Sequence, residues 1–304
     1  MMNFPISGVE TEWWVPLLTA FCISVFTSTG GISGAFLLLP FQMSILGFTG
    51  PAVSATNMLY NVIAIPSGVY RYAKEKRLVK PLVWTTALGT LPGVFLGAII
   101  RIKYLPDPRV FKLFVGLVLF YIGARLALNV IHPPLSDKST SNQSSSTSKN
   151  FFSIEPLAFN LKRIGYSFEG KDYYASFVGI FTLSLVVGII GGIYGIGGGA
   201  IIAPFLVTAF GLPVHTVAGA ALLGTFLTSI AGVGFFTLLA PFYNQTGLAI
   251  TPDWMLGGLF GIGGAAGMYI GARLQRLLPA RVIKTILAAS IMFVAIRYIS
   301  GFFI

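Results

Sequence analysis

Apolar runs near the length of a membrane span recur along the chain. They fall at about 13–29, 32–47, 51–70, 81–100 and 110–131, and again at about 174–194, 196–211, 214–240, 254–272 and 281–301. Several carry no charge, and they do not alternate polar with apolar positions as a barrel strand must. The pattern therefore predicts an all-α polytopic membrane protein with ten segments in two sets of five. Two segments stand apart. Ala35–Gly47 and Gly199–Gly211 offer only about 13 residues each, or ~20 Å of helix against a ~30 Å hydrocarbon core. Each follows glycines and contains a proline, Pro40 or Pro204.

The two sets read as copies of one unit. GIGGGAIIAPF, from Gly195 to Phe205, falls 164 positions back on GISGAFLLLPF, from Gly31 to Phe41. Gly211 falls on Gly47 and Gly232 on Gly68. Further along, Gly89, Gly93, Gly97 and Ala98 match Gly263, Gly267, Gly271 and Ala272, and Arg109, Lys112 and Arg125 match Arg281, Lys284 and Arg297. Small residues four apart line one helix face and let helices approach closely in lipid. The expected organisation is a first five-segment repeat over 1–131, a Ser-rich linker over 132–172 and a second repeat over 173–304. The linker's first part, 132–150, has the composition of a disordered connector. Its remainder, 151–172, is mixed and charged and reads as a short interfacial or cytoplasmic piece.

Composition and charge sharpen this picture. Hydrophobic residues make up 55%, charged residues 10%, and mean hydropathy is +0.83, too apolar for a wet exterior. The net charge of +11 sits largely in the connections, a membrane signature too scattered for a nucleic-acid surface. The connection 71–80 carries five basic residues and one acid, whereas its counterpart 241–253 carries no base and one acid. The positive-inside rule places these two on opposite sides, which an inverted repeat with an odd number of spans achieves. The N- and C-termini then lie outside an inner membrane and the linker is cytoplasmic. The cytoplasmic connections 71–80, 131–172 and 273–284 hold 14 basic residues against 4 in the outer stretch 101–112, which is the awkward feature. If the two short segments re-enter instead of spanning, the count becomes four plus four and the inversion fails. Cys22 is the single cysteine, which excludes an intrachain disulfide, and the start has no basic n-region of a cleavable signal peptide.

Paired, short, Gly/Pro-broken segments in inverted repeats point to a transporter's midplane site. Glycines at a helix start leave N–H groups at the positive end of the dipole, an arrangement that binds anions. The candidate substrate-binding residues are Ser28, Thr29, Gly31, Ser33 and Gly34 at the first break, and Gly195, Gly197, Gly198 and Gly199 at the second. Asn57, Asn61 and Thr225 belong with them, because Ser54, Asn57 and Asn61 share one helix face and Asn61 matches Thr225. Close packing is the competing reading for the glycines, and interhelical hydrogen bonding for the asparagines. No Asp or Glu lies inside an apolar segment, which favours an anionic substrate over a cation or proton relay. Arg125 and Arg297 are candidates to guide an anion, with snorkelling as the alternative. No metal site or cofactor is expected, since the chain has two histidines and one cysteine. Nor does it contain a Walker-type GxxxxGK[ST] sequence. Gly31-Ile-Ser33-Gly34 has the GxSG form of an intramembrane serine protease, with His215 as its base. The second copy, however, holds GIGG in register, so duplication explains the motif without catalysis.

With these residues in view, the chain resembles the TauE/SafE family of sulfite and organosulfonate exporters. The resemblance covers nearly the whole length. It rests on Gly30-Gly31-Ile32-Ser33-Gly34 through Pro40, on Gly195-Ile196-Gly197-Gly198-Gly199 through Pro204, and on the two Gly-x3-Gly helices. The first copy departs from the fuller pattern at Ser33 and Ala35. The resemblance implies a secondary transporter exporting sulfite or sulfonates across the inner membrane without ATP; an anion channel of the same architecture is the alternative. The expected partners are this small anion and the lipid bilayer, with no nucleic acid and with a homo-oligomer left open.

Overall fold

The computed structural model describes residues 1–29, 33–74, 78–131, 154–160, 163–168, 171–243, 247–274 and 280–303. Among them are ten helices, close to the ten expected segments: α1 (Trp14–Thr29), α2 (Ala35–Ser44), α3 (Ala52–Lys74), α4 (Lys80–Lys103), α5 (Pro108–Ile131), α6 (Phe177–Tyr194), α7 (Gly199–Thr208), α8 (Val214–Tyr243), α9 (Trp254–Leu274) and α10 (Ala280–Phe303). Six of these, α4, α5, α6, α8, α9 and α10, contain stretches long and apolar enough to cross a membrane. The two short segments are shorter than expected, with ten residues each in α2 and α7.

The all-helical expectation is corrected by two small antiparallel sheets. A hairpin of β1 (Met2–Phe4) and β2 (Val9–Thr11) opens the chain. Its Ser7 donates from N and Oγ to Asp253 Oδ2 at 3.0 and 2.8 Å, and Asp253 in turn caps α9 through the Leu256 N–H. The second sheet, β3 (Ile154–Phe159), β4 (Arg163–Phe168) and β5 (Lys171–Ser176), occupies the stretch expected to be a featureless interfacial piece. Its physical basis is a period of two: Ile164, Tyr166 and Phe168 are buried while Arg163 is exposed. The Tyr166 hydroxyl lies 2.8 Å from Thr216 Oγ1 in the first turn of α8. Burial pushes its pKa up to about 12, so it bonds as the neutral phenol. β5 runs into α6, whose first turn is capped by Ser176 Oγ accepting from the Gly179 N–H. The sheet thus crosses the expected boundary at 173. Residues 132–153, which carry the expected disordered connector, lie outside the described residues.

The helices pack in pairs that repeat between the two halves. A Cβ built on Gly93 or Gly97 of α4 would meet the Cα of Gly188 or Gly192 of α6 at 2.9 Å. The same contact recurs where α9 meets α1: Gly267 would meet Ser24 Cβ at 2.8 Å and Gly271 would meet Val25 Cα at 3.0 Å. Ser24 and Val25 are the counterparts, 164 positions back, of Gly188 and Ile189. Glycine is required at these crossings because backbone approaches backbone. Residue order along the contacts gives direction. Gly257 and Gly261 of α9 lie against Leu59 and Ile63 of α3, so those helices run parallel. By contrast, Gly68 and Gly232 reach Leu222 and Met58 respectively, so α3 and α8 run antiparallel. α5 and α10 are antiparallel too, with Gly116 against Ala295 and Tyr298 and Gly123 against Ile291 and Met292.

Candidate functional site

Each short helix starts from a glycine. Gly34 and Gly198 are the N-caps of α2 and α7, with near-identical backbone angles (φ −66° and −74°) and no side-chain cap. The leading N–H groups of a helix have no partner within it. In the second break, Gly195 (φ +89°) and Gly197 (φ +67°) sit in the left-handed region, which only glycine enters readily. That conformation lets α6 stop and α7 begin within four residues.

One face of α3 ties the two breaks together. Asn57 donates both amide hydrogens, to Ala35 O at 2.9 Å in the first half and to Gly195 O at 3.0 Å in the second. One turn on, Asn61 donates to Ile196 O at 3.1 Å, and its Oδ1 accepts from Ser33 Oγ at 2.9 Å. Ser54 Oγ donates to Ile193 O at 2.8 Å, and Gln42 Nε2 to Asn57 Oδ1 at 3.3 Å. All five side chains are buried. The expected convergence of Ser33, Asn57, Asn61 and the second break therefore appears, with the amides held by backbone carbonyls in this conformation. Ser33 directs its hydroxyl proton to Asn61, not to an imidazole.

A residue missed in the sequence completes the link. Pro40 has no N–H, so it cannot serve the carbonyl four residues earlier, Phe36 O. The Tyr194 hydroxyl donates there instead, at 2.7 Å, from the end of α6. A proline in a short apolar helix is itself the signal that an outside donor is needed. Tyr60 was missed as well: its hydroxyl lies 2.7 Å from Ser24 Oγ, and a Cβ on Gly34 would come within 2.5 Å of it.

The other candidates spread out. Ser28 bonds its own helix at Val25 O and lies against Gly271. Thr29 ends α1, and Gly31 lies outside the described residues. Thr225 Oγ1 donates back to Ala221 O at 2.9 Å and packs against Gly197 and Gly199. Gly198 faces Thr90, whose Cγ2 would be 2.6 Å from an added Cβ. Near Gly197 lies the buried Ser229 hydroxyl, with no hydrogen-bond partner among the described residues. Beside the start of α7, Thr86, Thr90, Gly199, Ile202, Ala221 and Gly224 enclose a narrow gap too tight for a water molecule. Arg125 and Arg297 do not join this cluster. Arg125 donates to Thr208 Oγ1 at 3.0 Å at the end of α7, and Arg297 lines an open cavity near the end of α2. Among the described residues there is no group of three His, Cys, Asp or Glu side chains suited to a metal.

Comparison with known proteins supplies the family. The profile of the TauE/SafE sulfite exporter family matches residues 16–298. The chain is 24% identical over 282 residues to the probable membrane transporter protein MamO of Paramagnetospirillum magneticum, covering 90% of this chain and 42% of that protein. It is 28% identical over 127 residues to the probable membrane transporter protein YdhB of Bacillus subtilis, covering 41% of this chain and 47% of that protein. The matched regions thus span less than half the length of either relative. No solved structure matches. With the family profile covering both glycine breaks and every described helix in whole or in part, this multi-pass membrane chain belongs to the TauE/SafE sulfite exporter family.

Proposed function

We propose that the chain is a secondary transporter that exports small sulfur-containing oxyanions, sulfite or organosulfonates, by alternating access between two inverted five-helix repeats. The observation that carries this reading is the buried polar face of α3, where Asn57 and Asn61 bond the backbone of both breaks within one helical turn. The start of α2 and the Gly195–Ile196 break ahead of α7 meet at that face, and the desolvated amide N–H groups of Asn57 and Asn61 are donors suited to an anion. In this reading the conformation, with only a tight gap beside Gly199, is a closed one. An opening motion that parts the start of α2, or the Gly195–Ile196 break, from α3 would free amide hydrogens of Asn57 and Asn61 for the substrate. The identity of the anion rests on family membership and not on the geometry.

The inverted arrangement has its own support. α3 and α8 run antiparallel, as do α5 and α10, while each half repeats the same packing partners. The Ala52 N–H at the start of α3 bonds Ala249 O in the α8–α9 connection, and Lys74 ends α3 some 22 residues, or ~33 Å, away. In a Cys22→Ala background, Lys74→Cys and Ala249→Cys should label from opposite faces of the membrane; labelling from one face sinks the inversion. The carrier itself is tested by sulfite and sulfonate counterflow in proteoliposomes. Saturable flux accelerated by substrate on the far side supports it, whereas an ohmic, non-saturating anion current selects the channel.

A further inference from the structure

A cavity of about 650 Å³ lies away from the glycine breaks, where the start of α5 meets the end of α10 and the end of α2. Arg109 and Lys112 come from α5, and Arg297 from α10. The floor is closed by Ser44 Oγ and the Tyr298 hydroxyl, 2.6 Å apart, and Tyr298 also donates to Pro40 O at 3.2 Å. Among the described residues no carboxylate lines it. The acid nearest in sequence, Asp107, turns its Oδ1 to the N–H groups of Arg109 and Val110 as the cap of α5.

Three cations facing one concavity repel each other, and low-dielectric walls strengthen the field they make. Two of them also stand at the N-terminus of their own helix, the positive end of its dipole, where a cation is disfavoured. Among the described residues, the side chains of Arg109, Lys112 and Arg297 have no hydrogen bond or ion pair. The ion pair found among the described residues joins the Met1 amine to Glu12, in and beside the N-terminal hairpin. The counterpart position shows what a structural arginine looks like in this fold. Arg125, 172 positions before Arg297, bonds Thr208, which is the counterpart of Ser44, and lies 5.8 Å over the Phe205 ring. In the first half Ser44 bonds Tyr298 instead, and Arg297 is left to the cavity. Arg101 is likewise structural: fully buried, it donates to Thr49 O at 2.9 Å and stacks 3.6 Å over Phe111. The outer stretch 101–112 therefore gives one of its four bases to the core and two to this cavity.

We propose that the cavity is an anion-binding vestibule, taking a tetrahedral oxyanion group of the sulfate or phosphate type on Arg109, Lys112 and Arg297. Such a group reaches it either as a soluble anion or as the headgroup of an anionic phospholipid, for which Phe293, Val294 and Phe302 supply an apolar wall. Charge-assisted bonds from these side chains to one anion would offset their mutual repulsion. The proposal stands apart from the transport reading, because binding is measured without flux.

The test uses the purified full chain in detergent with two probes. One is sodium sulfate, titrated against sodium chloride at equal ionic strength and followed by calorimetry. The other is phosphatidylglycerol, added to delipidated protein and followed by native mass spectrometry. Wild type should bind one probe at a single saturable site, and the probe that binds identifies the source. Arg297→Gln with Lys112→Gln should weaken that binding at least tenfold, and Lys112→Gln alone several-fold, whereas Arg163→Gln, the same charge change on the distant sheet, should leave it intact. Should the double variant fail to fold, the single variant decides. The proposal is overturned if wild type binds neither probe, or if Lys112→Gln and Arg163→Gln weaken binding equally.

Discussion

The two glycine breaks occupy equivalent places in the two halves, yet their surroundings are built oppositely. Around the first, side chains fill the space. Tyr60 packs between Gly34 and Gly264, with its hydroxyl on Ser24, and Asn57 and Asn61 hold the backbone. Around the second, the counterparts of Ser24, Ser33, Asn57 and Tyr60 are Gly188, Gly197, Ala221 and Gly224. There the glycine backbone packs directly against Thr90, Ala221, Thr225 and Ser229, with a narrow gap beside Gly199. Around the breaks the two halves share sequence matches at a constant offset, and side-chain size distinguishes the equivalent positions. The first half braces both breaks through α3, while in the second the start of α7 lies in close backbone contact with α8.

Tyr60→Ala should break the comparison most strongly. Truncating a fully buried aromatic costs ~3–5 kcal/mol, so the variant should melt far below wild type in a detergent thermal scan. Its counterpart, Gly224→Ala, should melt within about 1 kcal/mol of wild type, because the nearest atom to the new Cβ is Thr86 Oγ1 at 3.6 Å. Equal losses from the two would show that both breaks are packed alike.

Asn57→Leu comes next. It leaves Ala35 O and Gly195 O without this donor, at ~1–3 kcal/mol for each buried group. Melting temperature and counterflow should fall together, and Asn57→Asp, which keeps the volume but not the donors, should not restore either.

Thr90→Val sharpens the other side. The Thr90 hydroxyl donates to its own helix at Thr86 O, 2.7 Å away, so its loss should move the melting temperature little. If substrate enters the gap beside Gly199, the KM for counterflow should rise roughly tenfold, the equivalent of one hydrogen bond of about 1.5 kcal/mol to a charged group. An unchanged KM would place the substrate elsewhere.

The smallest effect is expected at the rim, where the sheet reaches α8. Tyr166→Phe removes the bond to Thr216, worth ~1 kcal/mol at neutral pH. The Tyr166 hydroxyl has its pKa raised by burial to about 12, from 10.0 in the unfolded chain. The unfolded state therefore releases that proton first, and stability falls as pH rises from 10 towards 12. Tyr166→Phe should flatten part of that alkaline slope in pH-dependent melts.

Much of the helix order was legible because it depends on local quantities. Segment length, the charge-free runs and the Gly-x3-Gly faces follow from the needs of a chain in lipid, and they located all ten helices to within a few residues at most ends. The sheet over 154–176 was legible in principle from the alternation of Ile164, Tyr166 and Phe168, but charged neighbours and short strands masked a period of two. Asn57 and Asn61 could be placed on one face from their spacing. What they bond could not, since their carbonyl partners Gly195 and Ile196 lie about 135–138 residues further along the chain. In the same way, Arg125 and Arg297 are equivalent in sequence, and only tertiary packing gave one a threonine and left the other facing a cavity with Arg109 and Lys112. The sequence by itself determined the membrane class, the duplication and the two breaks, because backbone hydrogen bonding in lipid permits few alternatives. Tertiary structure alone decided which polar groups were already satisfied and which remained available, because that depends on contacts between residues far apart in the chain.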